Sequence, residues 1–215
     1  MKIALINEKS QSGKNSLIEQ VLRSAVEPMG HIVFNYGMYS KEGAHELGYV
    51  HVGILAAVLL NSGAADFIIT GCGTGQGVLV ACNAFPGVQC GFIADPVDAF
   101  LFSQINNGNA VSLPFAKGFG WAADLNLKNT FVSLFEHEAG VGYPPEDAET
   151  EKYYKRLMDK VKTVSHKDIL TILEELDRDL VLTALGTERF REFFFENCRD
   201  GRIREKVKEL MEQPG

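Results

Sequence analysis

The chain has 215 residues, of which 46% are hydrophobic and 23% are charged. This is the composition of a globular protein and excludes collagen-like, low-complexity and disordered chains. Its 21 basic and 28 acidic side chains give a net charge of −7 at pH 7, which argues against the phosphate attraction that nucleic-acid-binding proteins need. We therefore expect no nucleic acid among its partners.

Apolar runs alternate with helical patterns through the first two thirds of the chain. Strands are predicted at 2–6, 32–36, 66–70, 88–93 and 110–113, and helices at 16–27, 49–61, 76–85, 96–106 and 118–135. Strands separated by helices of this length pair in parallel and carry helices on both faces of the sheet. We predict an α/β fold with a three-layer, Rossmann-like, five-stranded parallel sheet. Functional sites in such folds lie at the carboxyl ends of the strands.

A turn-rich segment follows this predicted domain. From Gly140 it reads Gly-Val-Gly-Tyr-Pro-Pro-Glu-Asp, and beyond it apolar residues recur only at helical spacing. We predict a Rossmann-like domain at 1–139, a linker at 140–150 and an all-helical C-terminal extension of three or four helices at 151–215. The extension either packs on the flank of the domain or clasps a second subunit. Aromatic residues surround most of one of its helices and suggest an exposed interface patch: Phe190, Phe193, Phe194 and Phe195.

Targeting and membrane signals are weak in this sequence. The apolar run at 3–6 is too short for a signal peptide. The longest apolar stretch, at 52–60, is far shorter than the about 20 residues that span a bilayer. We therefore expect a cytoplasmic protein with no membrane partner. Its cysteines form no CxxC pair and are expected to be free thiols: Cys72, Cys82, Cys90 and Cys198.

A glycine-rich loop, Thr70-Gly-Cys-Gly-Thr-Gly-Gln-Gly77, joins the third predicted strand to the next helix. Its glycines allow backbone N–H groups to point into one space at a helix N-terminus, where they bind anions or stabilise an oxyanion. A helix N-terminus also activates a thiol, so Cys72 is the cysteine with a reason to be reactive. The competing interpretation is a tight turn with a small buried cysteine.

Three familiar motifs do not fit. A dinucleotide-binding GxGxxG would need glycine where Gln76 stands, and it would follow the first strand. A Walker A loop would need glycine at Glu8 and a hydroxyl residue at Asn15. A zincin helix would need a second histidine at Val141. We expect no cofactor and no metal.

Several motifs within about residues 1–125 resemble the ribose 5-phosphate isomerase type B and galactose 6-phosphate isomerase family. They are Tyr49-x-His51, Cys72-Gly-Thr-Gly-x-Gly, Asn83-x-Phe-Pro-Gly and Asn106-x-x-Asn109. The resemblance implies a homodimer whose sites are built across the interface. It also implies aldose–ketose isomerisation through an enediol, without metal or cofactor.

The resemblance also implies roles for individual residues. Cys72 matches the thiol that moves a proton between C1 and C2, and Thr74 matches the hydroxyl beside it. Tyr49, Asn83 and Asn106 match positions that line the substrate site. The sequence departs from the family pattern at three points: the Asp-His pair after the first strand is Glu8-Lys9, the ring-opening histidine is Ile105, and an arginine of the following helix is absent.

Further motifs resemble a longer subgroup over nearly the whole chain. They include Asn35-Tyr-Gly-Met38, Asp95-Pro-x-Asp-Ala99, Ala116-Lys-Gly-Phe-Gly-Trp121 and Phe194-Phe-Glu-Asn-Cys198. They resemble bacterial isomerases that act on an open-chain unsaturated uronate, 4-deoxy-L-threo-5-hexosulose uronate. An open-chain substrate needs no ring-opening histidine, and its carboxylate needs fewer cationic contacts than a phosphate, which fits the departures.

The expected reaction needs a base, donors for an oxyanion and a screen from water. Cys72 is the candidate base, and Thr74 with the N–H groups of Gly73, Gly75 and Gly77 are the candidate donors. Glu8 is a candidate proton shuttle or a surface carboxylate. The candidate partners of a substrate carboxylate are Lys9, Lys117 and His51, each of which is otherwise a solvated side chain.

Three function classes remain open. The first is a uronate ketol-isomerase and the second is a phosphosugar isomerase with altered ring-opening machinery. The third is a non-catalytic anion-binding module. Cys72 and Thr74 speak against the third class, because pure anion binding needs only the backbone of the loop.

Overall fold

The computed structural model of the chain describes residues 1–41 and 46–212. In this part of the chain, five parallel strands form one sheet in the order β2-β1-β3-β5-β4. The strands are β1 Lys2–Asn7, β2 Ile32–Asn35, β3 Phe67–Cys72, β4 Cys90–Phe92 and β5 Ala110–Pro114. This confirms the predicted five-stranded parallel sheet and places β3 at its centre.

Helices cover both faces of the sheet. The connecting helices are α1 Asn15–Val26, α2 Tyr49–Asn61, α3 Gln76–Asn83, α4 Pro96–Leu101 and α5 Ala123–Phe135. Alternate strand residues point to opposite faces, so Ala4 and Ile6 of β1 pack with α2 and α3, whereas Ile3 and Leu5 pack with α1 and α5. These two cores make the three layers that the sequence predicts.

Short helical segments adjoin the regular helices, among them a 3-10 turn over Glu27–Met29 that follows α1. A 3-10 helix over Lys9–Lys14 leads into α1, and a π-helical turn over Phe102–Asn106 continues α4. The helix predicted at 118–135 begins only at Ala123, because Gly118 and Ala122 adopt left-handed backbone conformations with φ of 63° and 64°. A right-handed helix cannot pass through such residues, so 118–122 form a turn.

The C-terminal extension is helical, as predicted. It contains five helices in the described part of the chain, rather than three or four: α6 Ala148–Ser165, α7 Ile169–Glu175, α8 Arg178–Leu185, α9 Glu188–Asn197 and α10 Gly201–Glu212. Asp168, Asp177 and Thr187 separate the first four of these helices, since each side chain accepts a hydrogen bond from an N–H group in the first turn that follows it. None of the helices described is both long and apolar enough to cross a bilayer.

Most of the extension packs on the flank of the sheet domain. Phe190 and Phe194 of α9 are fully buried, with ring centroids 4.6 Å apart, and they belong to the same core as α2. Phe193 and Phe195 are half-buried against that core. The aromatic helix is therefore not an exposed patch, and the sequence-based expectation for it was wrong. Its rings fill the space beside α2.

Helix α6 differs from the other helices of the extension because it has no buried residue. Five of its apolar residues are at least half exposed, and we call them the α6 stripe: Tyr153, Tyr154, Met158, Val161 and Val164. The last of these is 87% exposed. The residues recur at helical spacing, so the stripe is one continuous apolar surface.

Candidate active site

The glycine-rich loop begins where the central strand ends. Cys72 is the last residue of β3 and is half-exposed, whereas the other three cysteines are buried. The Phe115 N–H donates to the Cys72 carbonyl at 2.9 Å, and the Ala116 N–H donates to the Gly73 carbonyl at 3.0 Å. These two hydrogen bonds hold the start of the loop against the end of β5.

Close packing explains the glycine at position 75. Its φ is +75°, a conformation that side chains disfavour, and a Cβ atom there would lie 2.7 Å from Cε2 of Phe92. The Ser112 hydroxyl donates to the Gly75 carbonyl at 2.7 Å. The neighbouring strands β4 and β5 thus fix the path of the loop between Cys72 and α3.

Thr74 connects the loop to the start of α3. Its hydroxyl oxygen lies 3.9 Å from the Cys72 sulfur and accepts a hydrogen bond of 3.3 Å from the Gln76 N–H. The N–H groups of the first helical turn, including that of Gly77, have no intrahelical acceptor and form the positive end of the helix dipole. A thiol, a hydroxyl and N–H donors therefore lie close together.

The start of α2 lies beside this helix terminus. The Tyr49 ring packs on Gly77, since a Cβ atom there would be 3.4 Å from the ring, and Tyr49 is half exposed. His51, one half-turn further along α2, accepts a 2.9 Å hydrogen bond at Nδ1 from the Gly48 N–H. Burial lowers the pKa of His51 below its ordinary value of 6.5. At neutral pH this imidazole is uncharged and offers an Nε2–H donor.

Glu8 and Lys9 follow β1 and begin the 3-10 segment. Glu8 is buried, with 5% of its surface exposed, and its carboxylate accepts hydrogen bonds from the Ser10 N–H, at 2.8 Å, and from the Ser10 hydroxyl. The alternative of a solvated surface carboxylate is therefore wrong. Lys9 forms an ion pair with Glu46, which offsets its charge. Lys117 is exposed on the turn after β5.

Asn83 and Asn106 lie elsewhere in the chain. The Asn83 amide donates to the Cys90 carbonyl at 2.8 Å and accepts from the Cys90 N–H at 3.0 Å, which ties the end of α3 to the start of β4. Asn106 ends the helical segment that precedes β5. Both line a cavity of about 650 Å³ with Lys162. They lie toward the amino ends of the strands, opposite Cys72.

Two residues that sequence analysis did not assign to the site lie above the loop. The Gln11 amide nitrogen is 3.6 Å from the position of a Cβ atom on Gly73. The Lys14 ammonium donates to the Gln11 amide oxygen at 2.9 Å and to the Phe115 carbonyl. Side chains three residues apart eclipse in a 3-10 helix. The three-residue spacing of Gln11 and Lys14 therefore indicates that their side chains meet, but only once the segment is known to be a 3-10 helix.

The described residues contain no group of three or more His, Cys, Asp or Glu side chains placed to hold a metal ion. The groups around the loop instead offer proton transfer at a thiol and hydrogen-bond donors for an oxygen anion. Such an arrangement suits proton movement next to a carbonyl group.

Family comparison identifies the class of protein. A family model described as Ribose/Galactose Isomerase matches residues 3–141. The chain belongs to this family. It is therefore a sugar isomerase, an intramolecular oxidoreductase. A second model, described as Ribose-5-phosphate isomerase, matches residues 164–210 of the helical extension.

Two solved structures match this isomerase over nearly its whole length. One is a 4-deoxy-L-threo-5-hexosulose-uronate ketol-isomerase complexed with a tartrate, with 53% identity, a TM-score of 0.97 and coverage of 99% of this chain and 100% of the other. The second is a ribose-5-phosphate isomerase from Vibrio parahaemolyticus, with 49% identity, a TM-score of 0.94 and coverage of 98% and 99%.

A more distant relative is ribose-5-phosphate isomerase B of Escherichia coli strain K12. It is 28% identical over 99 residues, which are 46% of this chain and 61% of that protein. This match spans less than two thirds of the relative's length.

Proposed function

We propose that this isomerase converts the open-chain aldose 4-deoxy-L-threo-5-hexosulose uronate into the corresponding 2-ketose, with Cys72 as the base. The observation that carries the proposal is the half-exposed Cys72 thiol beside the Thr74 hydroxyl, at the positive end of α3. The matching 53% identical structure of a ketol-isomerase for this uronate supports the choice of substrate.

The reaction moves two protons and needs no external oxidant. The Cys72 thiolate removes the proton from C2 of the aldose, and the electron pair shifts so that the C1 oxygen becomes an enediolate. Thr74 and the N–H groups of Gly73, Gly75 and Gly77 stabilise that oxygen. The Cys72 thiol then returns its proton to C1, while the O2 proton moves to O1.

Glu8 is the proposed shuttle between O2 and O1. Its carboxylate lies at the end of β1, the strand next to β3, and the Ser10 backbone and hydroxyl fix its orientation. A carboxylate that is already oriented exchanges a proton without rearrangement. The same two contacts leave acceptor positions on its oxygens for a substrate hydroxyl.

Position 105 favours a substrate that is already open. The hydrophobic side chain of Ile105 stands beside Asn106, where the family resemblance expects a ring-opening histidine, and it lines the cavity next to β4. An aliphatic side chain cannot donate a proton to a ring oxygen. A cyclic phosphosugar would therefore open slowly on this protein, whereas an open-chain uronate needs no such step.

The proposed assembly is a homodimer with each site built across the interface. A six-residue parallel strand is about 16 Å long, so Asn106 of one copy is far from its own Cys72. It reaches a substrate there only from a second copy of the chain. The uncovered α6 stripe supports this arrangement, because soluble monomers rarely expose a continuous apolar surface of this kind.

A phosphosugar isomerase is the second candidate function. It is favoured by the 49% identical ribose-5-phosphate isomerase structure and by the N-terminus of α3, which suits a phosphate as well as a carboxylate. A non-catalytic anion-binding module is a third possibility, and it leaves the paired Cys72 and Thr74 side chains without a role.

Substrate assays with NMR detection distinguish these functions. Purified protein is incubated separately with the unsaturated uronate, ribose 5-phosphate and galactose 6-phosphate, and loss of the aldose C1 signal is followed. A mock purification from host cells without the gene measures isomerase carried over from the host. Turnover of the uronate alone supports the proposal. Turnover of a phosphosugar alone establishes the second candidate, and no turnover with any of them leaves the binding module.

A further inference from the structure

We propose that Lys14, together with Gln11, binds the carboxylate of the substrate and so determines the preference of the enzyme for acidic sugars. The inference deepens the proposed function and rests on it for the identity of the substrate. It assigns the anion to a residue other than the three candidates that the sequence suggested, which were Lys9, Lys117 and His51.

The position of Lys14 is the first argument. The Lys14 ammonium donates to the Phe115 carbonyl. The Phe115 N–H in turn donates to the Cys72 carbonyl. Gln11 lies between Lys14 and the loop, with its amide nitrogen facing Gly73. The carboxyl carbon of a hexuronate is four bonds from C2, so an open chain whose C2 lies at the Cys72 sulfur can extend over Gly73 toward this pair.

The charge of Lys14 is the second argument. Among the residues described, Lys14 forms no ion pair with a carboxylate, although it is half-buried, whereas Lys9 is paired with Glu46. The acidic side chains nearest to Lys14 in the sequence are Glu19, which pairs with Arg23, and Glu8, whose carboxylate accepts hydrogen bonds from Ser10. A half-buried cation without a counter-charge at the edge of a site attracts an anionic ligand.

Helix electrostatics give the third argument. Lys14 is the N-cap residue of α1, makes no side-chain capping bond to that helix, and is followed by a first turn without any acidic residue. A positive charge at the N-terminus of a helix opposes the helix dipole and lowers helix stability. The location of Lys14 is thus unfavourable for folding of α1. It places the positive end of the α1 dipole and the charge of Lys14 in the same region, where both attract an anion.

Hydrogen-bond capacity is also left for a carboxylate. The Lys14 ammonium has three hydrogens, and its described contacts use two, on Gln11 and Phe115. The Gln11 amide has two hydrogens, and its described contact with the Ser10 hydroxyl, at 3.2 Å, uses one. One donor remains on each nitrogen, which matches the two oxygens of a carboxylate. The centroid of the Phe119 ring lies 4.5 Å from the ammonium.

Kinetics of charge variants test the inference. Lys14→Met removes the charge at nearly constant length, Lys14→Arg retains it, and Lys128→Met removes one exposed positive charge on α5 as a matched control. Each is assayed with the uronate and with its uncharged methyl ester. We expect Lys14→Met to raise KM for the uronate by about 10- to 100-fold, the effect of losing a charged hydrogen bond. The kcat should stay within about threefold, and KM for the ester should be unchanged.

The substrate charge separates a binding role from a structural one. If Lys14→Met raises KM equally for the acid and the ester, or for neither, the inference is overturned. A lysine with a merely structural role does not distinguish the two substrates. Lys14→Arg should restore KM for the uronate to within about fivefold of wild type. If Lys14→Met does not fold, Lys14→Gln replaces it, since an amide still donates to the Phe115 carbonyl.

A binding measurement separates failure of this inference from failure of the proposed function. Calorimetric titration of the uronate into Cys72→Ser protein, with and without Lys14→Met, requires no turnover. Binding weakened at least tenfold by Lys14→Met supports the inference even if wild-type protein does not isomerise the uronate. Undetectable binding to Cys72→Ser and wild-type protein overturns it.

Discussion

The Cys72 sulfur lies 3.9 Å from the Thr74 hydroxyl oxygen, across a single glycine of the loop after β3. The Ser112 hydroxyl donates to the carbonyl of the next glycine, Gly75. The packing of the central strands, rather than their mutual contact, therefore holds the Cys72 and Thr74 side chains near each other. The loop itself supplies both the thiol and the hydroxyl, and the neighbouring strands fix their positions.

Cys72→Ser should lower kcat by about 10²- to 10⁴-fold, the usual contribution of a general base, because a serine hydroxyl is a far weaker base at neutral pH. The measurement is NMR-monitored turnover of the uronate. Cys198→Ala, which changes a buried cysteine in the helical extension, should keep kcat within about threefold. Near wild-type turnover by Cys72→Ser would instead make Glu8 the base.

Iodoacetamide should modify Cys72 first and abolish activity in proportion. Cys72 is half-exposed, whereas Cys82, Cys90 and Cys198 are buried. Hydrogen bonding with Cys82 and burial raise the pKa of the Cys90 thiol, which slows its alkylation further. Peptide mass spectrometry locates the label, and substrate should protect the protein. First labelling at a buried cysteine would contradict this expectation.

Activity should not depend on a divalent metal ion. The proposed proton transfers use only Cys72, Glu8 and loop donors, so overnight treatment with EDTA followed by desalting should leave kcat unchanged. The treated protein is assayed with and without added Mg²⁺, Mn²⁺ and Zn²⁺. Loss of activity that one of these ions restores would show that the proposed mechanism is wrong.

Charges on the α6 stripe should convert a dimer into monomers. Met158→Glu combined with Val161→Glu places two carboxylates on the proposed interface, where burial without partners costs several kcal/mol. Light scattering measures the mass, and activity should fall with it because the proposed site is built from both copies. Arg156→Glu, an exposed change on the same helix, should remain dimeric. A dimeric, active double variant would place the interface elsewhere.

Truncation after Pro144 is a less specific test of the dimer. It should give monomer or aggregate and lose activity, but it also removes Phe190 and Phe194 from the core beside α2. Loss of two buried aromatic side chains alone costs several kcal/mol. The stripe variants change the surface while leaving this core intact.

Glu19→Gln should lower the free energy of unfolding by about 1 kcal/mol at pH 7 and by less at pH 3. Burial raises the pKa of Glu19, but hydrogen bonds from Tyr39 and Arg23, with a third from Asn35, outweigh it and hold the pKa below 4.5. Because the pKa of Glu19 is lower in the folded state than in the unfolded state, its ionised carboxylate stabilises the fold above pH 4.5. This stabilisation is lost as the pH falls through the folded-state pKa.

Urea unfolding of wild type and Glu19→Gln at both pH values measures this contribution. Glu205→Gln, on the exposed surface of α10, is a suitable control for removal of one negative charge. An equal difference at pH 3 and pH 7 would show that Glu19 acts through packing instead of ionisation.

The architecture was predictable because the hydrophobic pattern is local. Ile3 to Ile6 alternate between two cores, as a strand buried on both faces requires. The start of α5 was mispredicted because nothing in the residue type shows that Ala122 adopts a left-handed conformation. The number of helices in the extension was underestimated, since Asp168 and Asp177 look like ordinary helix-surface residues until their capping bonds are seen.

The candidate site was predictable only where it is local in sequence. Cys72 and Thr74 share one loop, so the motif alone brings them together. Gln11 and Lys14 reach that loop through the fold, and a local motif carries no such information. Asn83 matches a family motif, yet its amide ties α3 to β4 far from Cys72. A family motif shows that such a residue is present, but not where the fold places it relative to Cys72.

The core beside α2 also has a consequence for synthesis of the protein. The Lys2 ammonium donates to the Asn197 carbonyl at 2.9 Å, so the first strand is joined to the last part of the chain. A ribosome that has completed α5 has made all five strands, but the residues that cover α2 are still missing. At ordinary elongation rates this apolar face waits on the order of ten seconds for its cover. The nascent chain should therefore be a client of chaperones that bind apolar segments until its C-terminal helices emerge.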